Sequence, residues 1–81
     1  MTTKNTIHEW LQIGISKNAT HLIIACDTFS YEDYPVYIDK KENVQEKYNE
    51  INASSMQKVM EVYNLSWPLE PQLKADRAKF F

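Results

Sequence analysis

The most constraining feature of the sequence is an apolar run at Thr20–Phe29. Its centre is rich in β-branched residues and it is short for a helix, so it predicts a β-strand. Even-numbered residues from Leu22 to Cys26 would face one side of this strand, and odd-numbered residues from His21 to Asp27 the other. Because both sides are apolar at the centre, we expect the strand to lie in the middle of a sheet.

A second extended segment, Tyr34–Asp39, follows a polar, turn-like tetrapeptide at Ser30–Asp33. Pro35 lacks the N–H that a strand donates to its neighbour, so this strand should lie at a sheet edge or begin at the proline. Together the two segments predict a β-hairpin whose loop has about four or five residues.

The segment Met56–Leu65 fits two periodicities. Its apolar residues match helical spacing at Met56, Val59, Met60 and Tyr63, and strand spacing at Val59, Tyr63 and Leu65. We favour a strand over Gln57–Asn64, since two strands alone are only marginally stable. This strand would complete a sheet of order 2-1-3 and would run parallel to the second strand through a right-handed crossover.

Three further segments predict helices. Thr6 and Glu9 have the spacing of a capping box, which predicts a first helix over Ile7–Lys17. Asn18 is suited to the left-handed conformation that ends a helix. Gly14, inside this helix, either weakens it or permits a close contact.

The second helix is expected to start at about Lys40 or Glu42, because Asp39–Glu42 offers a cap. One buried stripe would follow at Val44, Tyr48 and Ile51, and Asn52–Ser55 would end the helix. The third helix would begin within Ser66–Pro71 and carry Leu73, Arg77, Phe80 and Phe81 back onto the body of the protein.

These elements predict an α+β fold with the order α-β-β-α-β-α, helices packed on a three-stranded sheet, and one domain over residues 1–81. The chain is 43% apolar and 25% charged, which is far from the composition of a disordered protein. A domain this small has little room for a pocket of about 300–1,000 Å³. We therefore expect any ligand site at the surface or between subunits of a homo-oligomer.

Composition excludes several classes of function. The single Cys excludes an internal disulfide framework and a multi-Cys zinc site, and the single Gly excludes a glycine-rich phosphate loop. A net charge of −2 argues against binding to a nucleic acid duplex. The longest purely apolar run, Leu22–Cys26, is far shorter than the roughly 20 residues that span a bilayer. With no secretory signal visible, we expect a cytoplasmic protein without a membrane partner.

The densest candidate for a functional segment is the hairpin Asp27–Tyr37. It interleaves acids with aromatic side chains, and the stretch Asp27–Glu50 holds seven acids against three lysines, a formal charge of −4. Exposed aromatic side chains beside polar groups are typical of recognition surfaces, and tyrosines stack on nucleobases. The candidate binding residues are Asp27, Tyr31, Glu32, Asp33, Tyr34 and Tyr37. Alternatively, Phe29, Tyr34 and Tyr37 fill the core and the acids only solvate a turn.

A small basic group near the end of the chain comprises Lys74, Arg77 and Lys79. It is either a solvated helix face or an anion contact. Arg77 is the best candidate for phosphate because its guanidinium binds two oxygens at once, and Lys74 joins it in the predicted site.

No catalytic arrangement is visible. Cys26 reads as a buried hydrophobic residue, and the adjacent Glu32 and Asp33 would face opposite sides of a strand. The acids Asp27, Glu32 and Asp33 could offer oxygens to a hard cation, but their spacing matches no calcium-binding loop. We predict a protein that is not an enzyme, with no metal and no cofactor.

The segments Ala19–Tyr37 and Met56–Ser66, together with Arg77 and the pair Phe80-Phe81, resemble a small protein family found in bacteriophage genomes. This resemblance implies an accessory phage protein that acts in the host cytoplasm. By analogy, we expect a counter-defence protein that sequesters a host immune ligand, such as a nucleotide second messenger. The alternatives are an inhibitor or adaptor that docks a host defence protein through the acidic, aromatic hairpin, and a small metal-dependent hydrolase or nuclease.

Overall fold

The computed structural model describes residues 3–75 and 78–81. In chain order its elements are α1 (Lys4–Ser16), β1 (His21–Asp27), β2 (Glu32–Ile38), α2 (Val44–Ala53), β3 (Gln57–Asn64) and α3 (Leu69–Lys74). This order confirms the predicted α+β arrangement. The observed boundaries of β1 and β2 differ from the predicted ones by one or two residues.

The sheet has the predicted order β2-β1-β3, with the apolar strand β1 at its centre. Both neighbours run antiparallel to β1, and Ile24 lies between Pro35 on β2 and Glu61 on β3. The strands β2 and β3 are therefore parallel to each other, as expected. A register shift leaves Met60 as an extra residue on β3, which bends the strand at that point.

Each face of the sheet carries its own apolar cluster, because β1 alternates apolar side chains to both sides. On the first face, which we call the α1 face, α1 packs on Leu22, Ile24 and Tyr63, and α3 flanks the cluster. On the opposite face, the α2 face, the stripe of α2 packs on Ile23, Ala25 and Val62. The structure thus confirms the predicted stripe of Val44, Tyr48 and Ile51.

The start of α1 lies one turn before the predicted start. Thr3 is the N-cap, and its Oγ1 accepts a hydrogen bond from the Thr6 N–H at 3.2 Å, so the predicted cap at Thr6 is wrong. Thr3 offers the same hydroxyl three residues earlier and thereby gains another turn of helix. At the other end Asn18 has a φ of 59°, and the Ala19 N–H donates to the Gly14 carbonyl at 2.9 Å, which confirms the predicted ending.

Gly14 permits a close contact between α1 and the sheet. A Cβ at this position would lie 2.9 Å from Leu65 Cδ1 and 3.2 Å from the Tyr37 ring. Of the two roles that the sequence left open for this glycine, the structure supports close packing.

The start of α2, in contrast, was predicted too early. Asn43 is the N-cap, with its Oδ1 accepting from the N–H groups of Gln45 at 2.9 Å and Glu46 at 3.1 Å. The residues Asp39–Glu42 instead close a separate turn, in which the Asp39 N–H donates to Glu42 Oε1 at 3.1 Å. The predicted cap therefore makes the expected kind of bond, but in a turn that precedes the helix.

The third helix is much shorter than predicted. α3 ends at Lys74, and Ala78–Phe80 forms an extended segment beside β3 rather than a helix. The Val62 N–H donates to the Ala78 carbonyl at 2.7 Å, and the Phe80 N–H donates to the Val62 carbonyl at 2.9 Å. The outer edge of β3 needs such partners for its backbone, which explains why the chain ends in extended form.

The terminal aromatic residues still pack onto the body of the protein, as predicted, but from opposite sides of this extended segment. Phe80 makes an edge-to-face contact with Trp67 at 6.3 Å between ring centroids, and Phe81 makes one with Tyr48 at 5.1 Å. In the part of the chain that the structure describes, no helix is both long and apolar enough to cross a membrane.

Candidate functional site

The hairpin tip, Thr28–Tyr31, joins β1 to β2 through four residues, within the predicted loop length. Asp27 organises this turn. Its Oδ1 accepts from the Phe29 N–H at 2.9 Å and the Ser30 N–H at 3.4 Å, while its carbonyl accepts from the Tyr31 N–H at 2.7 Å. The structure thus gives the Asp27 carboxylate, a predicted binding group, a role in holding the loop.

Three large apolar side chains are exposed at this end of the sheet. Phe29 is 79% exposed, Tyr31 is 78% exposed and Met56 is 50% exposed. The alternative interpretation that Phe29 fills the core is therefore wrong. We call Phe29, Tyr31 and Met56 the tip patch. The sequence gives no sign that Met56 belongs to this group, because Met56 lies far from the hairpin along the chain. In the structure the two are joined by a backbone hydrogen bond from the Thr28 N–H to the Met56 carbonyl, at 2.9 Å.

Tyr31 holds an unusual backbone conformation. Its φ is 59°, in the left-handed region that glycine and asparagine adopt more easily than an aromatic residue. The three hydrogen bonds around Asp27 keep the loop in this conformation. The turn therefore presents an exposed aromatic ring at a cost in backbone free energy of about 1–2 kcal/mol.

A groove lies on the α2 face, between the edge strand β2 and α2. Its volume is about 420 Å³, within the usual range of about 300–1,000 Å³ for small-molecule sites. The groove lies at the surface of a single chain, which is one of the two locations expected for a ligand site. The lining residues come from β2, α2 and the start of β3: Tyr34, Val36, Lys47, Glu50, Ile51, Ser54 and Gln57.

The groove combines an apolar base with a polar rim. Val36 and the buried Ile51 belong to the cluster under α2, and the Tyr34 ring packs against the same cluster. On the rim, Lys47 Nζ lies 3.8 Å from Glu50 Oε1. Burial raises the pKa of Tyr34, and the negative charge of Asp27 raises it further. The Tyr34 hydroxyl therefore remains a hydrogen-bond donor across the physiological pH range.

Tyr37 lies on the opposite face of β2 from Tyr34, because side chains alternate along a strand. Its ring packs against Gly14 of α1, and Lys17 Nζ lies 4.9 Å from the ring centroid. Burial raises the pKa of the Tyr37 phenol. The predicted set of tyrosines is therefore split between the tip, the groove and the α1 face.

The two adjacent acids of the hairpin also separate, as their strand positions predicted. Glu32 is exposed and lies opposite Asp27 in the ladder, whereas Asp33 lies opposite Cys26. Burial raises the pKa of the Cys26 thiol, and the neighbouring Asp33 carboxylate raises it further. A buried thiol with a raised pKa is a poor nucleophile.

The predicted basic group does not join the hairpin residues. Lys74 pairs with Glu70 of its own helix at 3.4 Å, both side chains being exposed, and Lys79 Nζ donates to the Met60 carbonyl at 2.8 Å. Arg77, the predicted phosphate contact, lies outside the described residues.

Across residues 3–75 and 78–81, no group of three or more histidine, cysteine or acidic side chains is arranged to hold a metal ion. The structure thus offers two surfaces that could bind a partner, the tip patch and the groove, both near the end of the sheet where the hairpin turns. No protein-family model, curated protein or solved structure matches the chain.

Proposed function

We propose that this chain is a non-enzymatic phage counter-defence protein that sequesters a nucleotide second messenger of host immunity in the groove between β2 and α2. The observation that carries the proposal is the groove itself, with a volume of about 420 Å³, an aromatic wall at Tyr34 and a lysine at its rim. The phage origin, the cytoplasmic site of action and the expected homo-oligomer rest on the sequence alone.

The chemistry of the lining suits a nucleoside unit. The Tyr34 ring offers a surface on which a base can stack, a contact worth about 1–3 kcal/mol per base. Ser54 and Gln57 offer a hydroxyl and an amide to ribose or to a base edge. Lys47 can contact a phosphate oxygen.

The charge at the rim of the groove restricts which nucleotides we expect it to bind. Lys47 is the lysine of this lining, and it lies beside Glu50. A further groove along α2 shares both residues and adds Glu42, Glu46 and Lys41, so its lining holds three acids and two lysines. A triphosphate would meet these carboxylates with several negative charges of its own. The site therefore favours ligands with one charge on each phosphate, such as cyclic nucleotides and ADP-ribose derivatives.

The residues of the groove lining are suited to binding a nucleotide without catalysing its reaction. The seven lining residues include no histidine or cysteine, the side chains that most often serve as general base and thiol nucleophile. A protein that only sequesters its ligand needs affinity and no reactive group.

The experiment is a thermal-shift screen with cyclic mononucleotides, cyclic dinucleotides and ADP-ribose derivatives, with ATP as a comparison. A ligand at 100 times its Kd should stabilise the folded state by about 2.7 kcal/mol. Lys47→Ala should reduce the shift, and Glu50→Gln should increase it because the lysine loses its counter-charge. The matched control is Lys74→Ala, which removes another lysine paired with a glutamate.

Two results would contradict the proposal. One is a panel in which no nucleotide changes the Tm. The other is a shift that Lys47→Ala and Lys74→Ala reduce equally, since binding would then depend on overall charge and not on the groove.

A further inference from the structure

We propose that the tip patch is a docking surface for a second protein, whose complementary surface combines an apolar cavity with basic residues. This inference is independent of the groove, because the tip patch shares no residue with the groove lining. Phe29 and Tyr31 are the most exposed of the large hydrophobic side chains in the described chain, at 79% and 78%. A few residues contribute most of the binding free energy in many protein interfaces, and tyrosine is enriched among them.

The tip is held in place before any partner arrives. The carboxylate and carbonyl of Asp27 accept hydrogen bonds from the N–H groups of Phe29, Ser30 and Tyr31, which fixes the loop. Met56 is tied to the same loop by the bond from the Thr28 N–H. A loop that is already ordered loses less conformational entropy on binding.

The backbone of Tyr31 gives a second reason to assign a role to the tip. A φ of 59° would suit glycine or asparagine at this position, and both occur commonly in hairpin turns. Tyrosine instead puts a large ring, 78% exposed, at the loop position whose backbone is left-handed. Strained residues that are held by their surroundings concentrate at functional sites.

The surrounding charge identifies the kind of partner. Glu32 is exposed directly after the tip, and Asp27 and Asp33 place two further carboxylates at the same end of the sheet. Lys58, opposite Cys26 on β3, offsets part of this negative charge. A second copy of this chain would bring like charges together, and an anionic lipid surface would be repelled. A basic protein surface would be attracted, which also accelerates association.

The test begins with a random 12-residue peptide display library, panned on the immobilised protein with counter-selection on the double variant Phe29→Ala/Tyr31→Ala. We expect the selected peptides to be rich in Lys, Arg and apolar residues. In solution, Phe29→Ala and Tyr31→Ala should each weaken binding of the best peptide by about tenfold or more. Met56→Ala and Glu32→Lys should weaken it by a smaller factor.

Two controls separate this proposal from general stickiness and from the groove. Ile15→Ala removes another exposed apolar side chain, 45% exposed on α1, and should leave peptide binding unchanged. Lys47→Ala should also leave it unchanged while reducing the nucleotide shift, so either proposal can fail without the other.

Three results would overturn the inference. The first is a library that yields no peptides dependent on Phe29 and Tyr31. The second is a sedimentation experiment showing a dimer that Phe29→Ala/Tyr31→Ala dissociates, because the surface would then bind a second copy. The third is binding to anionic vesicles that the same double variant abolishes, because the surface would then bind lipid.

Discussion

The two edge strands of the sheet, β3 and β2, differ in how their outward-facing backbone groups are paired. On β3, the outward-facing backbone of Val62 is paired with Ala78 and Phe80, and the backbone of Asn64 is paired with the buried side chain of Gln72. At the bulge, the Met60 carbonyl accepts from Lys79. The last part of the chain therefore closes this edge against further strands.

On β2, Pro35 protects the middle of the edge. Backbone groups along a strand point alternately to its two sides, so the outward bonds of Val62 mean that its neighbour Glu61 faces β1 and bonds to Ile24. Ile24 therefore does not bond to its partner on β2, Pro35, and the backbone of Pro35 faces outward. A proline has no N–H to offer a new strand, so the middle of this edge cannot pair fully. Pro35 therefore limits pairing with another strand along the edge that borders the groove. The β3 edge is thus built into the fold, whereas the β2 edge borders the groove in which we propose that a ligand binds.

Gln72→Ala is the substitution from which we expect the largest loss of stability. Gln72 is 2% exposed, its Oε1 accepts from the Asn64 N–H at 2.7 Å, and its Nε2 donates to the carbonyls of Asn64 and Pro68, both at 2.9 Å. Removing it leaves buried backbone groups without partners, each at about 1–3 kcal/mol, so we expect a loss of about 2–4 kcal/mol in the free energy of unfolding. Urea titration measures this loss.

The matched control is Gln45→Ala, at an exposed glutamine whose amide contacts Asn49 at 3.4 Å. Its effect should stay within about 0.5 kcal/mol. Equal effects of the two substitutions would mean that the β3 edge does not depend on the side chain of Gln72.

The second test uses alkaline pH, because tyrosines on the two sides of the sheet differ in burial. Burial raises the pKa of Tyr63 strongly, and its hydrogen bond to the Glu61 carboxylate raises it further. The unfolded phenol ionises near about pH 10, so above that pH the unfolded state binds fewer protons than the folded state. Stability should therefore be constant below about pH 10 and fall by up to about 1.4 kcal/mol per pH unit above it for this residue.

Urea titrations at a series of pH values, each compared with Tyr63→Phe, measure this effect. The variant should be less stable at neutral pH, since Glu61 loses its donor, but its stability should decline less steeply at high pH. On the open side, Tyr34→Phe should change the slope less because Tyr34 is only half-buried. An equal change in slope from both variants would contradict the difference in burial.

The third test concerns strain at the hairpin tip, on the open side. Tyr31→Asn places a residue that tolerates the left-handed conformation at a φ of 59°. We expect a gain in stability of up to about 1 kcal/mol, together with weaker peptide binding at the tip patch. Tyr31→Phe keeps the ring and should change stability little. A loss of stability in Tyr31→Asn would show that the Tyr31 ring makes stabilising contacts that outweigh the strain.

The same contrast explains how much of the fold the sequence could predict. The apolar alternation of β1 and the position of Pro35 predict the strand order correctly because burial and missing donors are properties of single residues. The caps of α1 and α2 were misplaced because several hydroxyl, amide and carboxyl side chains compete locally, and only the folded chain shows which one wins. The extended segment Ala78–Phe80 could not be predicted, since it forms in response to the unpaired edge of β3.

The candidate sites divide in a similar way. Tyr31, Tyr34 and the acids were visible as a dense hairpin in the sequence. The groove was not, because Lys47, Glu50 and Ser54 meet Tyr34 only when α2 folds across the sheet. Met56 reaches the tip patch only through the pairing of β1 with β3. A linear pattern identifies residues of one segment, and it gives no signal for partners contributed by a later element.

The smallest expected effect on stability comes from Pro35→Val, which restores an N–H at the outward-facing middle of β2. The substitution adds a β-branched residue suited to a strand, and we expect the free energy of unfolding to change by less than about 1 kcal/mol. The effect should instead appear in association, because the open edge could then pair continuously with the same edge of another chain. Sedimentation velocity over a range of concentrations measures this. The control is Val36→Thr, which keeps the backbone N–H count of β2 while making a neighbouring side chain more polar. If Pro35→Val associates no more than the parent protein and this control, the proline is not what protects the open edge, and the acids around β2 become the better explanation.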